Sequence, residues 1–554
     1  MAECACPTTD DLSPAIHQKR SIPWDNFNSW MSCFCVVGFD LELGQVIEKV
    51  YPEHFFLSDV ERSSICYLAF PDSNTGCMGD TQFHFRIRST FRAKRSHNLL
   101  DNVLRKDIEH YFGHVTFRQV KDNTVKRGYY QKSLVLVSRL PFFNLYNHLV
   151  KTIGPDYFAN GEIALETACY QIDKWMRPDP GELLQLPIMG NVLQVVIPPC
   201  KTKFSESKVA VKTSSLLSDT DFQCTFNPPY YTHFSTMISH ISLLWELVLL
   251  CEPIIVMAPS PTVSSEVVQS LVSLIQPLNF ACDYRPYFTI HDKELKEYTS
   301  KTQTVPRVIL GVTNPFFAKT LQQWPHIVRV GDMPMLTLNK NGKKSQELKP
   351  GIYTKYKACL GRDKLFLKKI SKGANGTRPV EVQNAMIGNF ISELTYSFMI
   401  PLERYIGSLM PLQRSISPWK CCPKLRKFNV EEFIQTLPGY GPQLTYKIKS
   451  DWPSLYRKFF KSPNFEHWFE DKKQQVNEKL ELLHLEALCR ADMNIWIDKK
   501  EEVEIVDLYM QIQKRYSNNR NNLITKEIRL QLEAQMNVIL ESLPEDLRDV
   551  LQKN

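Results

Sequence analysis

The stretch ISLLWELVLLCEPIIVMAP, residues 241–259, decides the fold class of the central part of this chain. Its apolar residues are interrupted by Glu246 and Glu252 and broken by Pro253. An uninterrupted apolar run of this length is typical of a membrane span, but two acids and a proline favour a buried helix followed by a buried strand. We therefore expect no transmembrane segment, so any residence on a membrane is predicted to be peripheral.

Strands and helices alternate around this stretch. The predicted elements are a strand LQVVIPP over 193–199, a helix over 264–275, a strand near 280 and a strand RVILGVT over 307–313. Such alternation is typical of βαβ units, in which a mostly parallel sheet is covered on both faces. Residues 185–339 are thus predicted to form a doubly wound α/β domain that contains a polar loop over 201–221.

The region before this domain has a different pattern. Two apolar runs, 33–39 and 45–51, flank Gly44 and predict a β-hairpin. Over 83–88, apolar and polar residues alternate with period two, which predicts a half-buried strand. A further strand from Ser133 and two helices near 142–153 and 162–176 complete a predicted α+β unit. We assign it to residues 30–184, behind a flexible polar leader over 1–29 that lacks the features of a signal peptide.

The region after the α/β domain is predicted to be helical. Apolar residues recur at helical spacing in two sets, which are Val476, Leu480, Leu483, Ala487 and Ile528, Leu532, Met536, Ile539. Each set makes one apolar stripe of an amphipathic helix. Residues 340–554 are therefore predicted to be a basic segment followed by an all-α domain. A chain of 554 residues is long enough for about three or four domains, which agrees with this division.

The positive charge of the chain is concentrated in one segment. Residues 340–378 carry twelve Lys or Arg and two acids, whereas the whole chain has a net charge of +8. The remainder is therefore close to neutral, which argues against a general polyanion binder, and the segment has few stacking aromatics, so no nucleic acid is expected. The lysines proposed to contact an anionic membrane are Lys343, Lys344, Lys368, Lys369 and Lys372. The alternative is a solubilising linker.

The sequence lacks the common catalytic and cofactor motifs. Only 21 glycines occur, and none lies in a phosphate-binding G-x-x-x-x-G-K-[ST] or G-x-G-x-x-G pattern. The fifteen cysteines lie mostly in apolar runs, which indicates reduced thiols and a cytoplasmic protein. Cys33 and Cys35 as a zinc pair, and His291 with Asp292 as an acid–base pair, are weaker hypotheses than core thiols and a solvated turn. We predict no catalytic residue, no metal and no cofactor.

Several long runs resemble DENN-domain proteins, closest to the sixth DENN-domain-containing subgroup. They are VVGFDLELGQVIEKVYP (36–52), SICYLAFPDSNTGCMGDTQFHFR (64–86), DYRPYFTIHDKELKEY (283–298), VILGVTNPFFAKTLQQWPHI (308–327) and PLERYIGSLMPLQRSISPW (401–419). The resemblance implies an N-terminal longin-like module, a central DENN α/β module and a C-terminal helical module. It also implies guanine nucleotide exchange on a Rab GTPase, with the fourteenth Rab type as partner, by a cytoplasmic protein recruited to recycling endosomes.

An exchange factor of this kind would stabilise the nucleotide-free Rab through its switch regions. Two alternatives stay open. One is a GTPase-activating protein that inserts an arginine, for which Arg86, Arg88 and Arg92 are the candidates. The other is a non-catalytic Rab effector or tether.

Three groups of residues are candidates for contact with the Rab. Asn314, Pro315, Phe316 and Phe317 follow a predicted strand, where the loops of α/β sheets form binding crevices and aromatic side chains serve as anchors. The second group is Asp283, Tyr284 and Arg285, and the third is Arg86 with Arg88. The alternatives are that the two phenylalanines pack beneath their loop, that Asp283 pairs with Arg285, and that Arg86 and Arg88 lie on a solvated face.

Overall fold

The N-terminal part of the chain is built on an antiparallel sheet. In the computed structural model, the described residues are 24–72, 78–90, 107–124, 128–199, 222–299, 304–331, 349–374, 378–412, 416–442, 450–517 and 526–553. The strands are β1 (Cys33–Asp40), β2 (Gly44–Tyr51), β3 (Gly79–Arg88), β4 (His110–Lys121) and β5 (Tyr129–Ser138). They lie in the order β2-β1-β5-β4-β3, and the predicted hairpin is confirmed as β1 and β2.

Helices cover both faces of this first sheet. They are α1 (Asp25–Trp30), α2 (Asp59–Leu68), α3 (Phe143–Asn160) and α4 (Glu162–Asp173). Helix α2 packs against the face that carries Phe83 and Phe85, while the other three helices pack against the opposite face. Helix α1 lies in the part of the chain for which a flexible leader is predicted, and it buries Phe27 and Trp30 in the core. The rest of that leader, 1–23, lies outside the described residues.

A small sheet extends the same core. It consists of β6 (Leu183–Ile188), β7 (Asn191–Val196) and β8 (Phe222–Gln223). The predicted strand at 193–199 is therefore present, but it pairs in this hairpin and not in the parallel sheet. The reason is visible in β6, where every second residue is buried, so that Leu184 and Leu186 offer one apolar face to the core around α4. The predicted polar loop over 201–221 lies outside the described residues.

The second sheet has five strands and is mostly parallel. They are β9 (Ile254–Met257), β10 (Asp283–Arg285), β11 (Val308–Val312), β12 (His326–Arg329) and β13 (Gly351–Thr354). The order is β10-β11-β9-β12-β13, and β13 alone pairs antiparallel within it. The prediction of a mostly parallel sheet from the strand–helix alternation is confirmed.

Both faces of this second sheet are buried. The associated helices are α5 (Tyr230–Phe234), α6 (Ile241–Leu249), α7 (Pro261–Ser273), α8 (Leu295–Thr299) and α9 (Phe316–Thr320), with a 3₁₀ helix at Ser235–His240. On β9, Ile254 and Val256 enter the core formed with α6 and α7, whereas Ile255 and Met257 enter a second core. A strand buried on both faces explains why residues 254–257 are uninterrupted in their apolar character.

The C-terminal part is helical, as predicted. Its helices are α10 (Lys364–Ala374), α11 (Val380–Leu409), α12 (Val430–Tyr440), α13 (Trp452–Phe459), α14 (Pro463–Cys489), α15 (Met493–Ile497), α16 (Glu502–Ser517), α17 (Lys526–Ser542) and α18 (Glu545–Lys553). Helix α11 shares a core with α6, where the Trp245 indole donates to Thr395 Oγ1 at 2.9 Å. Helices α15 to α18 form a separate smaller core with the end of α14. None of the described helices is both long and apolar enough to cross a bilayer.

Candidate functional site

The two large sheets meet at their edges. Strand β3 ends the first sheet and β10 ends the second, and the Arg285 Nη1 donates to the Arg86 carbonyl at 3.2 Å. At the other end of β3, the Thr262 hydroxyl of α7 donates to the Gln82 carbonyl at 2.6 Å. Exposed edge strands carry unpaired backbone groups, so this contact protects both edges. We call this boundary the junction.

A set of charged side chains, buried or half-buried except for Arg88, lies at the junction, and we call it the junction network. Its members are Arg86, Arg88, Asp107, His110, Asp283, Arg285 and Glu294. Three arginines face three carboxylates, so the network is balanced in charge apart from His110. It joins residues of the first sheet to residues that begin at β10. The structure thus brings together two of the three groups of predicted contact residues.

Arg86 is at the centre of the junction network. Its guanidinium lies 2.8 Å from an Asp283 oxygen and 2.9 Å from an Asp107 oxygen, and 4.2 Å from the ring centre of Tyr284. The residue is only 7% exposed. The alternative of a solvated face is therefore wrong for Arg86, because the second sheet covers the face of β3 that the period-two pattern marks as polar. Arg88 lies two residues further along β3. Its side chain is exposed, and it pairs with Asp283 and Glu294.

Arg285 binds two acidic side chains, Asp283 of β10 and Glu294 of the segment that follows β10. Its Nη2 donates to both oxygens of Glu294 at 2.9 and 2.8 Å, and its Nε donates to Asp283 Oδ2 at 3.0 Å. The pairing of Asp283 with Arg285, one of the alternatives from the sequence, is present. Burial opposes ionisation of Asp283, but the charge of Arg285, a hydrogen bond from His110 and the charge of Arg86 outweigh it and hold the pKa of Asp283 well below its usual range.

His110 completes the network from β4. Burial lowers its pKa, yet hydrogen bonds to Asp107 and Asp283 outweigh burial, so the pKa of His110 lies above its ordinary value. Each charged group of the network is paired with an opposite charge. Chemically, the arrangement fixes one sheet against the other.

Four exposed side chains, on α2 and on the segments that follow β10 and β11, form a group that we call the junction patch. It consists of Tyr67, Ile290, His291 and Phe316. Tyr67 of α2 stacks on the His291 ring with a centroid separation of 5.2 Å, so this surface includes both sheets' elements. The Asp72 amide donates to the Tyr287 hydroxyl at 2.8 Å, which holds the end of α2 against the segment that follows β10.

The two adjacent phenylalanines of the predicted loop have different environments. Phe316 is 47% exposed, whereas Phe317 is fully buried and packs with Phe288 at 5.9 Å. Asn314 is buried, and its side-chain oxygen accepts from the Phe316 amide at 3.0 Å, while Pro315 precedes α9. The alternative that these rings pack beneath the loop is therefore correct for Phe317 only.

A cleft opens where β3 begins. It has a volume of about 630 Å³ and is lined by residues that include Asp80, Thr81, Thr116, Lys151 and Thr262. Strands of the first sheet, helix α3 and the first turn of α7 all contribute to it. The cleft therefore lies between the first sheet and the start of α7, and most of its lining residues carry a hydroxyl or charged group.

The remaining candidates lie elsewhere. Lys368, Lys369 and Lys372 are exposed on α10, whereas Lys343, Lys344 and Arg92 lie outside the described residues. Among the described residues, no group of three or more His, Cys, Asp or Glu side chains is arranged to hold a metal ion. The Cys33 and Cys35 sulfurs lie 3.8 Å apart in the core, where burial raises the pKa of the Cys33 thiol, which is typical of packed thiols.

Sequence reasoning missed three members of the junction patch. Tyr67 and Ile290 carry no motif, and His291 was considered only together with Asp292, whose carboxylate instead accepts from the Glu294 amide at 2.9 Å. The one feature of the sequence that could have indicated the patch is Tyr67, a large aromatic residue at a position of α2 that does not face the sheet. Its partner lies more than 200 residues away in the chain, so no local pattern predicts the pair.

Comparison with known proteins identifies two families along the chain. The DENN (AEX-3) domain profile matches residues 129–325, and the DENND6 C-terminal domain profile matches residues 493–554. Protein DENND6A from Mus musculus is 49% identical over 97% of this chain and 92% of its own length. Protein DENND6B from Homo sapiens is 48% identical over 96% of this chain and 94% of its own length.

A more distant relative shows the same coverage of this chain. The protein DENND6 homolog from Dictyostelium discoideum is 30% identical over 96% of this chain and 83% of its own length. The similarity therefore extends through the antiparallel sheet, the parallel sheet and the helical region alike. On these matches, the chain belongs to the DENND6 family of DENN-domain proteins.

Proposed function

We propose that this protein is a guanine nucleotide exchange factor that promotes GDP release and GTP loading on a Rab GTPase. DENN-domain proteins form a family of Rab exchange factors, which regulate a GTPase and perform no covalent catalysis. The observation that carries the proposal is the similarity to DENND6 proteins along nearly the whole chain. The composition of the junction supports it, since the buried charged groups there are all paired.

The proposal includes an architecture of three modules. The antiparallel sheet between α2 and α3 would be a longin-like module, the parallel sheet a doubly wound DENN module, and residues 340–554 a basic segment and a helical module. The sequence places the first boundary at residue 184. Because β6 to β8 share the core of the first sheet, we propose that this boundary follows Cys224.

Exchange requires that the factor bind the empty GTPase more tightly than the loaded one. Only a difference in affinity between the two states shifts their equilibrium. A 10⁵-fold acceleration of GDP release corresponds to about 7 kcal/mol of differential stabilisation. A surface that discriminates in this way has to be rigid, and the junction network supplies rigidity because its ion pairs hold the two sheets together.

We propose the junction patch as the main contact for the Rab switch regions. Its exposed rings, Tyr67 and Phe316, are the residue types that dominate binding energy in protein interfaces. Arg88, at the end of β3, offers a further exposed side chain. Asn314, Pro315 and Phe317 position Phe316, and Arg86, Asp283, Tyr284 and Arg285 position the loop after β10. In this proposal these seven residues act indirectly, through the shape of the surface.

The partner and location are also proposals. By family resemblance the partner is the fourteenth Rab type, and the site of action is the recycling endosome, to which a cytoplasmic protein would be peripherally recruited. The cleft beside Thr262 provides a second surface between the sheets, where part of the GTPase can enter.

The decisive experiment measures release of a fluorescent GDP analogue from a panel of purified Rabs. The full chain should accelerate release from one or a few Rabs, including the fourteenth type, over their intrinsic rates. Acceleration of none of them, with protein shown to be folded by its thermal transition, contradicts the proposal. The truncation that ends at residue 340 shows whether the helical region contributes.

Two further measurements separate the alternative functions. A GTPase-activating protein would raise single-turnover GTP hydrolysis and lose that effect in Arg88→Ala. An effector or tether would bind the GTP-loaded Rab more tightly than the empty Rab. The proposed exchange factor should do neither, and should bind the empty form most tightly.

A further inference from the structure

Helix α10 has two dissimilar faces. Phe366 and Ile370 are buried against α11, where Phe366 stacks on Phe390 at a centroid separation of 4.0 Å. Lys364, Lys368 and Lys369, with Lys372, are exposed on the outer side. Residues three and four apart lie on the same side of a helix, so these four ammonium groups form one surface. We call this surface, together with Leu365, the basic face.

The basic face is fixed in place. The Asp363 carboxylate accepts from the Leu365 and Phe366 amides at 2.9 Å each and caps the start of the helix. Arg378 donates to the Lys369 carbonyl at 3.3 Å and ties the end of α10 to the start of α11. A flexible solubilising linker would need neither the cap nor the packing. The lysines are therefore held in a defined array.

The four lysines have no acidic partner among the described residues, in contrast to the lysines that form ion pairs. Among the described residues, Lys49, Lys132, Lys472, Lys473 and Lys500 each pair with a carboxylate. None of the four basic-face lysines pairs with a carboxylate of the described residues. Residues 349–374 carry eight Lys or Arg and one acid, Asp363, which is used as the cap. The positive charge here is thus uncompensated by the described acids of the protein.

An apolar side chain lies among these charges. Leu365 is 59% exposed, directly between Lys364 and the next turn of the helix. An isolated leucine within a lysine array fits the boundary of a bilayer, where lysines meet anionic headgroups and an apolar side chain reaches the acyl region. A nucleic-acid surface would instead use arginine forks and stacking rings, and the only large aromatic ring of α10, Phe366, is buried.

We propose that the basic face of α10 binds the surface of an anionic bilayer. This specifies the peripheral membrane contact included in the proposed function, and its test does not depend on nucleotide exchange. Each lysine near an anionic surface multiplies binding by about fivefold, so four together give reversible recruitment. Because the apolar stripe of α10 is already covered by α11, the helix lies on the bilayer and does not insert.

The position of α10 separates this surface from the junction. The segment that leads into α10 leaves the parallel sheet at β13, and β10 lies at the opposite edge. Four strand spacings of roughly 4.8 Å place these edges about 19 Å apart. The junction patch and the basic face are therefore distinct surfaces, so the bilayer and a GTPase can be bound at the same time.

The test is vesicle sedimentation with the full chain. Vesicles of phosphatidylcholine alone are compared with vesicles that also contain phosphatidylserine, at low and high salt. We expect binding only to the anionic vesicles, weakening as salt screens the charges. The variant with Lys364, Lys368, Lys369 and Lys372 all changed to Glu should lose at least about tenfold in partition coefficient. Leu365→Ala should lose a few-fold with the salt dependence unchanged.

A matched control separates position from net charge. Changing Lys479, Lys499, Lys514 and Lys526 to Glu alters the net charge equally at exposed positions elsewhere in the helical region. Equal losses in both variants, or no preference of the wild type for anionic vesicles, would overturn the proposal. So would duplex RNA binding more tightly than the vesicles and being lost in the same α10 variant. GDP release in solution should be unchanged by the α10 variant, so a failed exchange assay and a failed vesicle assay are distinguishable.

Discussion

The junction network and the basic face use the same class of residue in opposite ways. At the junction, Arg86 and Arg285 are buried and every guanidinium faces a carboxylate. On α10, four lysines are exposed, and none of them pairs with a carboxylate in the described part of the chain. An ion pair that is buried and complete holds parts of one molecule together, whereas an array of unpaired surface charges is available to a second molecule. The residue types at the two places fit this difference. The planar guanidinium of arginine suits bidentate pairing with a carboxylate, whereas the ammonium of lysine suits a hydrated surface.

The largest effect is expected from Asp283→Asn. Asp283 is bound by Arg86, Arg88 and Arg285, so the neutral amide leaves buried guanidinium charge uncompensated. We expect a loss of about 3–5 kcal/mol in the free energy of unfolding, measured by urea denaturation. Asp80→Asn is the control, since its partner Arg118 lies in a more exposed pair, and it should cost less than about 1 kcal/mol. Similar losses of unfolding free energy in both variants would show that the ion pairs of the junction stabilise the fold no more than a surface ion pair does.

The next-largest expected effect is a pH dependence of the free energy of unfolding, which arises from buried histidines on β3 and β4. His84 lies opposite His114 across β3 and β4, and burial lowers the pKa of His114 to about 4. As pH falls below about 6.5, the unfolded chain takes up a proton at His114 that the folded protein refuses, so stability falls. Between pH values of about 6.5 and 4.5 this histidine should cost on the order of 2 kcal/mol.

The variant that tests this dependence is His114→Gln, whose amide can keep the contact with Asn147 at the position of the imidazole. It should show a shallower loss of unfolding free energy over the same pH range. The network acids do not contribute there, because Asp283 and Asp107 have pKa values lowered well below that range. An unchanged slope would mean that other groups control the acid sensitivity.

A smaller effect, confined to function, is expected from Phe316→Ala. Because its ring is half exposed, its removal should leave the thermal transition nearly unchanged. Loss of one interface anchor should lower kcat/KM for GDP release by about tenfold. Ile163→Ala removes an even more exposed apolar side chain on α4 and should leave exchange unchanged. Equal effects of the two substitutions would indicate that the junction patch is not the contact surface.

The smallest effect is expected from a single change on the basic face. Lys368→Gln should change the free energy of unfolding by no more than about 0.5 kcal/mol, because the side chain is exposed and unpaired. Its partition onto anionic vesicles should fall by about fivefold. Circular dichroism melting and sedimentation measure the two quantities. A clear loss of stability would show that the lysine has a partner within the protein.

Regular patterns in the sequence were sufficient for much of the fold. The hairpin at β1 and β2 was predicted from apolar runs that flank Gly44, and the parallel strands β9 and β11 from apolar runs that alternate with helices. The stripes of α14 and α17 were predicted from helical spacing. Strand β4 was not predicted, because most of its residues are buried on both faces and show no alternation. Strand 193–199 was predicted but its partner was not, since pairing depends on which core is nearby.

The candidate site was predicted only in part. The position after a predicted strand indicated that Phe316 and Phe317 lie in a binding loop. Because the two residues are identical and adjacent, the sequence could not show that Phe317 would be buried and Phe316 exposed. Arg86 matched a polar face of β3, but burial of that face depends on β10, nearly 200 residues later in the chain. Tyr67 belongs to the junction patch only through its contact with His291, which no local pattern predicts.

The amino-acid sequence by itself determined the kinds of secondary structure, the class of each sheet and the location of the excess positive charge. Those properties depend on residues close together in the chain, through side-chain period and composition. The tertiary structure alone decided which charges are neutralised, which aromatic rings stay exposed and which strand edges meet. These depend on desolvation and on contacts between distant segments, and neither acts until both segments are packed against each other.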